Sequence, residues 1–269
     1  MSIITISRGS YSQGETIATK LATKLGYECF SREVLLEASK DFNIPEVKLV
    51  RAIHDSPSIL DRFTYGKEKY IAYIQAAVLK HLQKDNVVYH GLAGHFFVTG
   101  ISHVLKVRII ADMEDRVRRE MEQEEISTKE AVRILKQDDE ERRKWSKHLY
   151  GIDTWDPSLY DLVIHIGKIT VEDAVKIISQ TVGLKQFQTT PESQKAIKDL
   201  ALAAEVRAVL VNRKPDVEVI AQEGIVYLLT KVGESQDPGL IRDLERIAKG
   251  VAGVKEVKLQ GRSQTPYVE

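Results

Sequence analysis

The chain has 269 residues, 43% hydrophobic and 29% charged, which is too apolar for a disordered chain and long enough for one or two buried cores. Thirty-nine Lys+Arg balance 39 Asp+Glu, so a strongly basic, specific nucleic-acid binder is not expected. The single cysteine, Cys29, excludes an intramolecular disulfide framework and a Cys-rich zinc site, and is expected to pack in a core near the second strand. The opening MSIITISRGSYSQGE is too short in apolar residues for a signal peptide. No segment approaches the ~20 apolar residues of a membrane span, so the expectation is a cytoplasmic chain with no transmembrane segment.

In chain order, Ile3-Ile4-Thr5-Ile6 reads as a buried strand. Ile17, Ala18, Leu21, Ala22 and Leu25 recur at helical spacing, with Gly26 placed as a C-cap. Tyr70 to Lys84 reads as a helix, and Asn86–Tyr89 and Val104–Ala111 as strands. Asp112–Glu124 and Thr128–Tyr150 read as charged helices, Asp161–Ile166 as a strand and Val171–Thr181 as a helix. This alternation predicts an α/β domain over residues 1–183, a parallel sheet covered by helices on both faces.

Residues 184–193 hold Gln186, Gln188, Thr189, Thr190 and Pro191 and read as a linker. Beyond it, residues 194–262 predict a small α+β domain in the order helix, strand, strand, helix, strand. Glu223-Gly224 fits the hairpin turn. The block from Pro191 carries 12 basic and 12 acidic residues, so neither part is strongly charged. Residues 263–269 read as a frayed tail.

Between the first strand and the first helix lies Gly9-Ser10-Tyr11-Ser12-Gln13-Gly14-Glu15-Thr16, spaced as G-x4-G-x-[ST]. Such glycines let the backbone wrap a phosphate, with N–H groups and the helix N-terminus as donors. Arg8, Gly9, Ser12, Gly14, Glu15 and Thr16 are the cofactor-binding candidates, and Thr16 is placed to ligate Mg²⁺. The lysine of that pattern is Glu15 here, and a carboxylate repels triphosphate oxygens; Arg8 is available to supply the missing charge. The alternative is a plain strand-to-helix turn.

The run ITISRGSYSQGETIATKLATKLGYECFSREVLLEAS resembles the opening of the cytidylate-kinase-like family. The E-D-R-x-R-R, D-x-E-R, W-D-P-S-L-Y-D-L-V and V-E-D-A-V elements between Val104 and Ile178 are similar to its second half. The resemblance spans about residues 1–182. It implies a P-loop nucleoside-monophosphate-kinase fold with a helical lid, and transfer of the ATP γ-phosphoryl group to CMP or dCMP. DVEVIAQEGIVYLLTKVG and IAKGVAGVKEVK similarly resemble a BON domain, which implies a module that binds a protein, a lipid or a small ligand.

Phosphoryl transfer needs positive charge around a charge-spread transition state, and the arginine fork supplies it best. Arg116 and Arg119 share a helix face. Arg142 and Arg143 lie late on the next helix, where this family has its lid, with Asp139 on the same face. These five are the catalytic candidates; the alternative for each is a solvated face with i, i+4 ion pairs. Arg32 lies where family members hold the acceptor phosphate. Asp112 ends a strand as a Mg²⁺-orienting carboxylate would, or caps the helix it begins. Relatives carry G-R-D after the third strand, whereas this chain has Gly91-Leu92-Ala93, so His90 and His95 become the acceptor-side candidates. Trp145, Tyr150, Trp155 and Tyr160 cluster at the lid end, to pack it on the sheet or to stack on a base.

Two functions are therefore carried forward. One is a nucleoside monophosphate kinase using ATP and Mg²⁺. The other is a catalytically impaired nucleotide- or phosphate-binding sensor that signals through its BON-like block.

Overall fold

The computed structural model describes residues 1–31, 66–91, 94–230 and 238–261. Arg32, Leu92, Ala93, the tail and the side chain of Trp145 lie outside the described set.

Strand β1 (Ile3–Arg8) is buried at nearly every position because both of its faces are covered. It is the middle strand of a five-stranded, all-parallel sheet with the order β2-β3-β1-β4-β5, where β2 is Glu28–Phe30, β3 Val87–His90, β4 Val104–Ala111 and β5 Leu162–Ile166. Parallel neighbours require crossovers, and helices supply them. On one face α1 (Gly14–Leu25) and α6 (Val171–Val182) cover Ile4, Ile6, Leu105, Val107 and Ile164. Helix α1 turns Ile17, Ala18, Leu21 and Ala22 inward and ends at Gly26, whose φ of +69° closes a bond to the Ala22 carbonyl. Leu21 is wholly buried, so Leu21→Ala costs about 2–5 kcal/mol.

On the other face α2 (Gly66–Leu82) and the short α3 (Gly94–Phe97) cover Ile3, Val87 and Val104. Between β4 and β5 the chain forms a pair of charged helices that pack on each other, α4 (Met113–Glu124) and α5 (Thr128–Tyr150). Their contact buries Val117, Ala131 and Leu135.

Residues 184–193 are tied down along their length. Gln188 Nε2 donates to the Val182 carbonyl at 2.8 Å, Thr189 N to the Met1 carbonyl at 2.9 Å, and Thr189 Oγ1 to Asp85 at 2.5 Å. Helix α7 (Pro191–Leu210) starts within this stretch, with Pro at its first position and a Thr190/Ser193 capping box. Strands β6 (Glu218–Gln222) and β7 (Ile225–Thr230) form an antiparallel hairpin. Glu223 at φ +53° and Gly224 at φ +88° make its turn, the pairing a type I′ turn requires. Helix α8 (Pro238–Lys249) then returns the chain so that β8 (Glu256–Gly261) pairs parallel with β7. The small sheet is β6-β7-β8, in the expected helix-strand-strand-helix-strand order.

Helix α7 belongs to two cores. Ile197, Ala201, Ala204 and Ala208 pack with α2, while Ala203, Val206 and Leu210 pack under the small sheet. Among the described residues no helix is long and apolar enough to cross a membrane.

Candidate active site at the glycine loop

The loop between β1 and α1 is held open by backbone geometry. Tyr11 and Gln13 have φ of +55° and +69°, a region uncommon for residues with a Cβ. Ser12 closes the turn, its hydroxyl donating to the Gly9 carbonyl at 2.9 Å. A Cβ on Gly14 would sit 2.7 Å from Arg8 Cβ, so glycine is what lets α1 begin against the last side chain of β1. Helices α5, α6 and α7 are capped by the side chains of Ser127, Thr170 and Thr190; Gln13 makes no such bond to α1. First-turn amides of α1 are thus uncapped by a side chain, with the positive end of the helix dipole behind them.

The α4–α5 pair closes over this loop. Arg116 is buried and spends its guanidinium on the protein: Nε donates to the Ser10 carbonyl at 2.7 Å, and both terminal nitrogens grip Asp139 at 2.7 and 2.9 Å. Ser10 Oγ donates to Asp138 at 3.0 Å. Tyr11 packs against the α4–α5 core and donates to Glu124 at 3.0 Å; burial and then Glu124 push its hydroxyl up to about 12. Arg142 reaches the Arg8 carbonyl at 3.4 Å; burial and then the Arg8 guanidinium hold it below the usual arginine value, against Asp138 and Asp139. Arg119 lies against the Gln13 side-chain amide, whose oxygen is the group able to accept from it. Beside them Glu120 is buried with one oxygen unpaired, and burial, Asp138 and Glu124 raise its pKa.

These elements enclose a cleft of about 1280 Å³ lined by Arg8, Gly14, Glu15, Thr16, Arg119 and Arg142. Lys20, Glu122, Glu124 and Asp138 also face it, so cationic and acidic groups alternate around the loop. A smaller cavity of about 430 Å³ lies across Gly9 and Ser12, bounded by Arg108, Arg116, Asp139, Trp155 and Val163.

The structure thus brings Arg8, Gly9, Ser12, Gly14, Glu15, Thr16, Arg116, Arg119, Asp139 and Arg142 together around one loop. Arg8 faces the cleft with its Nη2 paired to Glu15 at 3.3 Å, so the charge at the lysine's place is shared between the two side chains. Arg143 points elsewhere, gripping Asp153 at 2.5–3.0 Å and stacking over Trp155 at 4.6 Å; it lines neither cavity. Asp112 occupies the N-cap position of α4, yet its side chain makes no cap bond; it pairs with His165 at 3.1 Å, whereas Thr16 lines the larger cleft.

His90 is buried at the end of β3, in register with Ile6. His95 is also buried, with Nε2 3.3 Å from Tyr160 Oη. Burial and then Arg108 and Lys106 lower its pKa to about 3, so it is a neutral partner in a Ser7–Arg108–Tyr160 network at neutral pH. Gly91 and Gly94 both have a packing reason: a Cβ on Gly91 would sit 2.6 Å from the Tyr89 hydroxyl, and one on Gly94 would run into the Tyr89 ring. Of the aromatic cluster, Tyr160 is buried and Tyr150 packs on Phe96 and Phe97, whereas Trp155 is exposed.

Sequence reasoning missed Tyr11, Gln13, Lys20, Arg108, Glu124 and Asp138. Asp138 and Gln13 stood beside residues already singled out; Tyr11 carries no local signal, since its partners lie over a hundred residues away.

Residues 3–168 match the model of the Cytidylate kinase-like family. A cytidylate kinase of Archaeoglobus fulgidus is 30% identical over 190 residues, covering 69% of this chain and 97% of the relative. One from Sulfolobus acidocaldarius is 27% identical over 188 residues, with the same coverage of 69% and 97%. Among solved structures, an uncharacterized protein from Eubacterium ventriosum is similar in fold, with a TM-score of 0.53 at 23% identity over 68% of this chain and 98% of that one.

Proposed function

We propose that this chain, which belongs to the cytidylate kinase-like family, is an ATP-dependent nucleoside monophosphate kinase acting on CMP, dCMP or a related small acceptor. The bond from the γ-phosphorus to the β–γ bridging oxygen breaks, a bond to an acceptor phosphate oxygen forms, and ADP leaves. One observation carries the reading: a glycine loop with uncapped first-turn amides, closed over by Arg119 and Arg142 from the lid helices.

The chemistry of that donor set fits ATP·Mg²⁺. Loop amides and the α1 N-terminus would hold phosphate oxygens, and Thr16 is the hydroxyl placed at the cleft for the metal. Arg142 and Arg119 would face charge developing on the transferred group. Arg116 and Asp139 act one layer back: they fix Ser10 and hold the loop's shape. Mg²⁺ would screen the phosphates from Glu15 and Asp138.

A phosphotransfer assay with ATP·Mg²⁺ against a panel of ribo- and deoxynucleoside monophosphates tests this. Turnover of CMP or dCMP, lost in Arg142→Ala, supports the kinase. Tight nucleotide binding with no turnover of any acceptor supports the second reading, a nucleotide sensor that relays its state through a BON-like C-terminal block. The Glu15–Arg8 pair favours that reading, because it replaces the lysine that would bridge the terminal phosphates.

A further inference from the structure

From the smaller cavity we infer a stacking subsite for a nucleobase, with Trp155 as its platform. The inference rests on the kinase reading above, which supplies the phosphates; what it adds is where the ring goes and how it is held.

Trp155 is 55% exposed and Val163 43% exposed, and both line this cavity. Large apolar side chains at that exposure are normally scattered singly. Here two of them face one concavity, with Ile110 and Met113 beside them. The indole is also held in place before any ligand arrives. Arg143 lies over its ring at 4.6 Å, Arg143 is gripped by Asp153, and the Trp155 amide donates to the same carboxylate at 3.1 Å. An exposed tryptophan with one face held by an anchored guanidinium and its backbone tied to the same carboxylate loses little conformational entropy when a ring stacks on it. Gly9 and Ser12 line the same cavity, so a ring on Trp155 and a phosphate at the glycine loop fit one ligand.

The polar groups around the cavity are already engaged. Arg116 and Asp139 bond each other, and Arg108 bonds Ser7 and Tyr160. The subsite therefore offers faces and few free edges, and it holds purine and pyrimidine rings alike.

Trp155 has a direct readout, because Trp145 is the only other tryptophan. In a Trp145→Phe background, titration with ATP·Mg²⁺ should quench Trp155 emission, while inorganic pyrophosphate and ribose 5-phosphate should not. Isothermal titration should show nucleotide affinity at least tenfold weaker in Trp155→Ala, largely retained in Trp155→Phe, and unchanged affinity for pyrophosphate. Equal nucleotide affinity in Trp155→Ala, or equal quenching by pyrophosphate, overturns the subsite and leaves the kinase reading standing. Binding of neither pyrophosphate nor any nucleotide by the wild-type chain overturns both.

Discussion

Replacing Asp139 with alanine removes two charge-assisted bonds, of 2.7 and 2.9 Å, from a guanidinium in a residue only 7% exposed. Breaking a fully buried ion pair in this way costs about 3–5 kcal/mol. The Asp139 side chain is 19% exposed, and Glu120 lies where its charge acts on Arg116, so the loss is partly compensated. We expect about 2–3 kcal/mol, which for a chain of this size lowers the thermal midpoint by roughly 5–10 °C. Replacing both partners with apolar residues of similar size, Arg116→Met with Asp139→Leu, should cost less than Asp139→Ala alone, because no charge is then stranded. Thermal melts of Asp139→Ala, the double variant and its two single components, Arg116→Met and Asp139→Leu, measure this. Asp139→Ala within about 0.5 kcal/mol of wild type, or a double variant whose loss equals the sum of its parts, would refute a buried brace behind the loop.

Glu15→Lys should leave stability within about 0.5 kcal/mol, since its pair with Arg8 is exposed, and should tighten ATP binding severalfold; titration that finds equal or weaker binding argues against phosphates at this loop. Arg142→Ala should lower turnover by about 10²–10³-fold with a smaller change in ATP affinity, and steady-state kinetics that show no change would remove Arg142 from the reacting centre. His95 takes up a proton more readily when unfolded, because its folded value is about 3 against an ordinary 6.5; its contribution is complete above pH 6.5 and fades as the pH falls. Denaturant titrations between pH 6.5 and 4.5 should therefore show a steeper loss in wild type than in His95→Gln. Gly94→Ala pushes a methyl into the Tyr89 ring and should cost about 1–3 kcal/mol, and a silent variant would mean the ring has room to move.

Much of the frame was readable because it rests on local patterns. The apolar run of β1, the helical spacing of Ile17 to Leu25 and the glycines at 9 and 14 each need only near neighbours to be recognised. The arginines of α4 and α5 stand out by helical spacing together with the family resemblance, yet their division of labour does not. Arg116, Arg142 and Arg143 look alike in sequence; one braces a loop, one approaches it and one anchors Trp155, according to which carboxylates and carbonyls the fold sets within 3.5 Å. From its position Asp112 reads as a Mg²⁺-orienting carboxylate or as a cap, but position does not reveal His165 on the neighbouring strand. The stretch 184–193 looked like a tether because its bonds run to Met1 and Asp85, far away in sequence.

Because α7 is packed on both sides, the seam between the two sheets runs along the axis of a helix rather than through a loop. Local opening of α7 would uncover Ala201 and Ala204 on one side and Val206 and Leu210 on the other in the same event. Its amide hydrogens should then exchange with those of both sheets, as one cooperative unit. A perturbation that loosens the small sheet is felt under α2 without any hinge to absorb it, and severing the chain before Pro191 strips the covering from one side of the larger core.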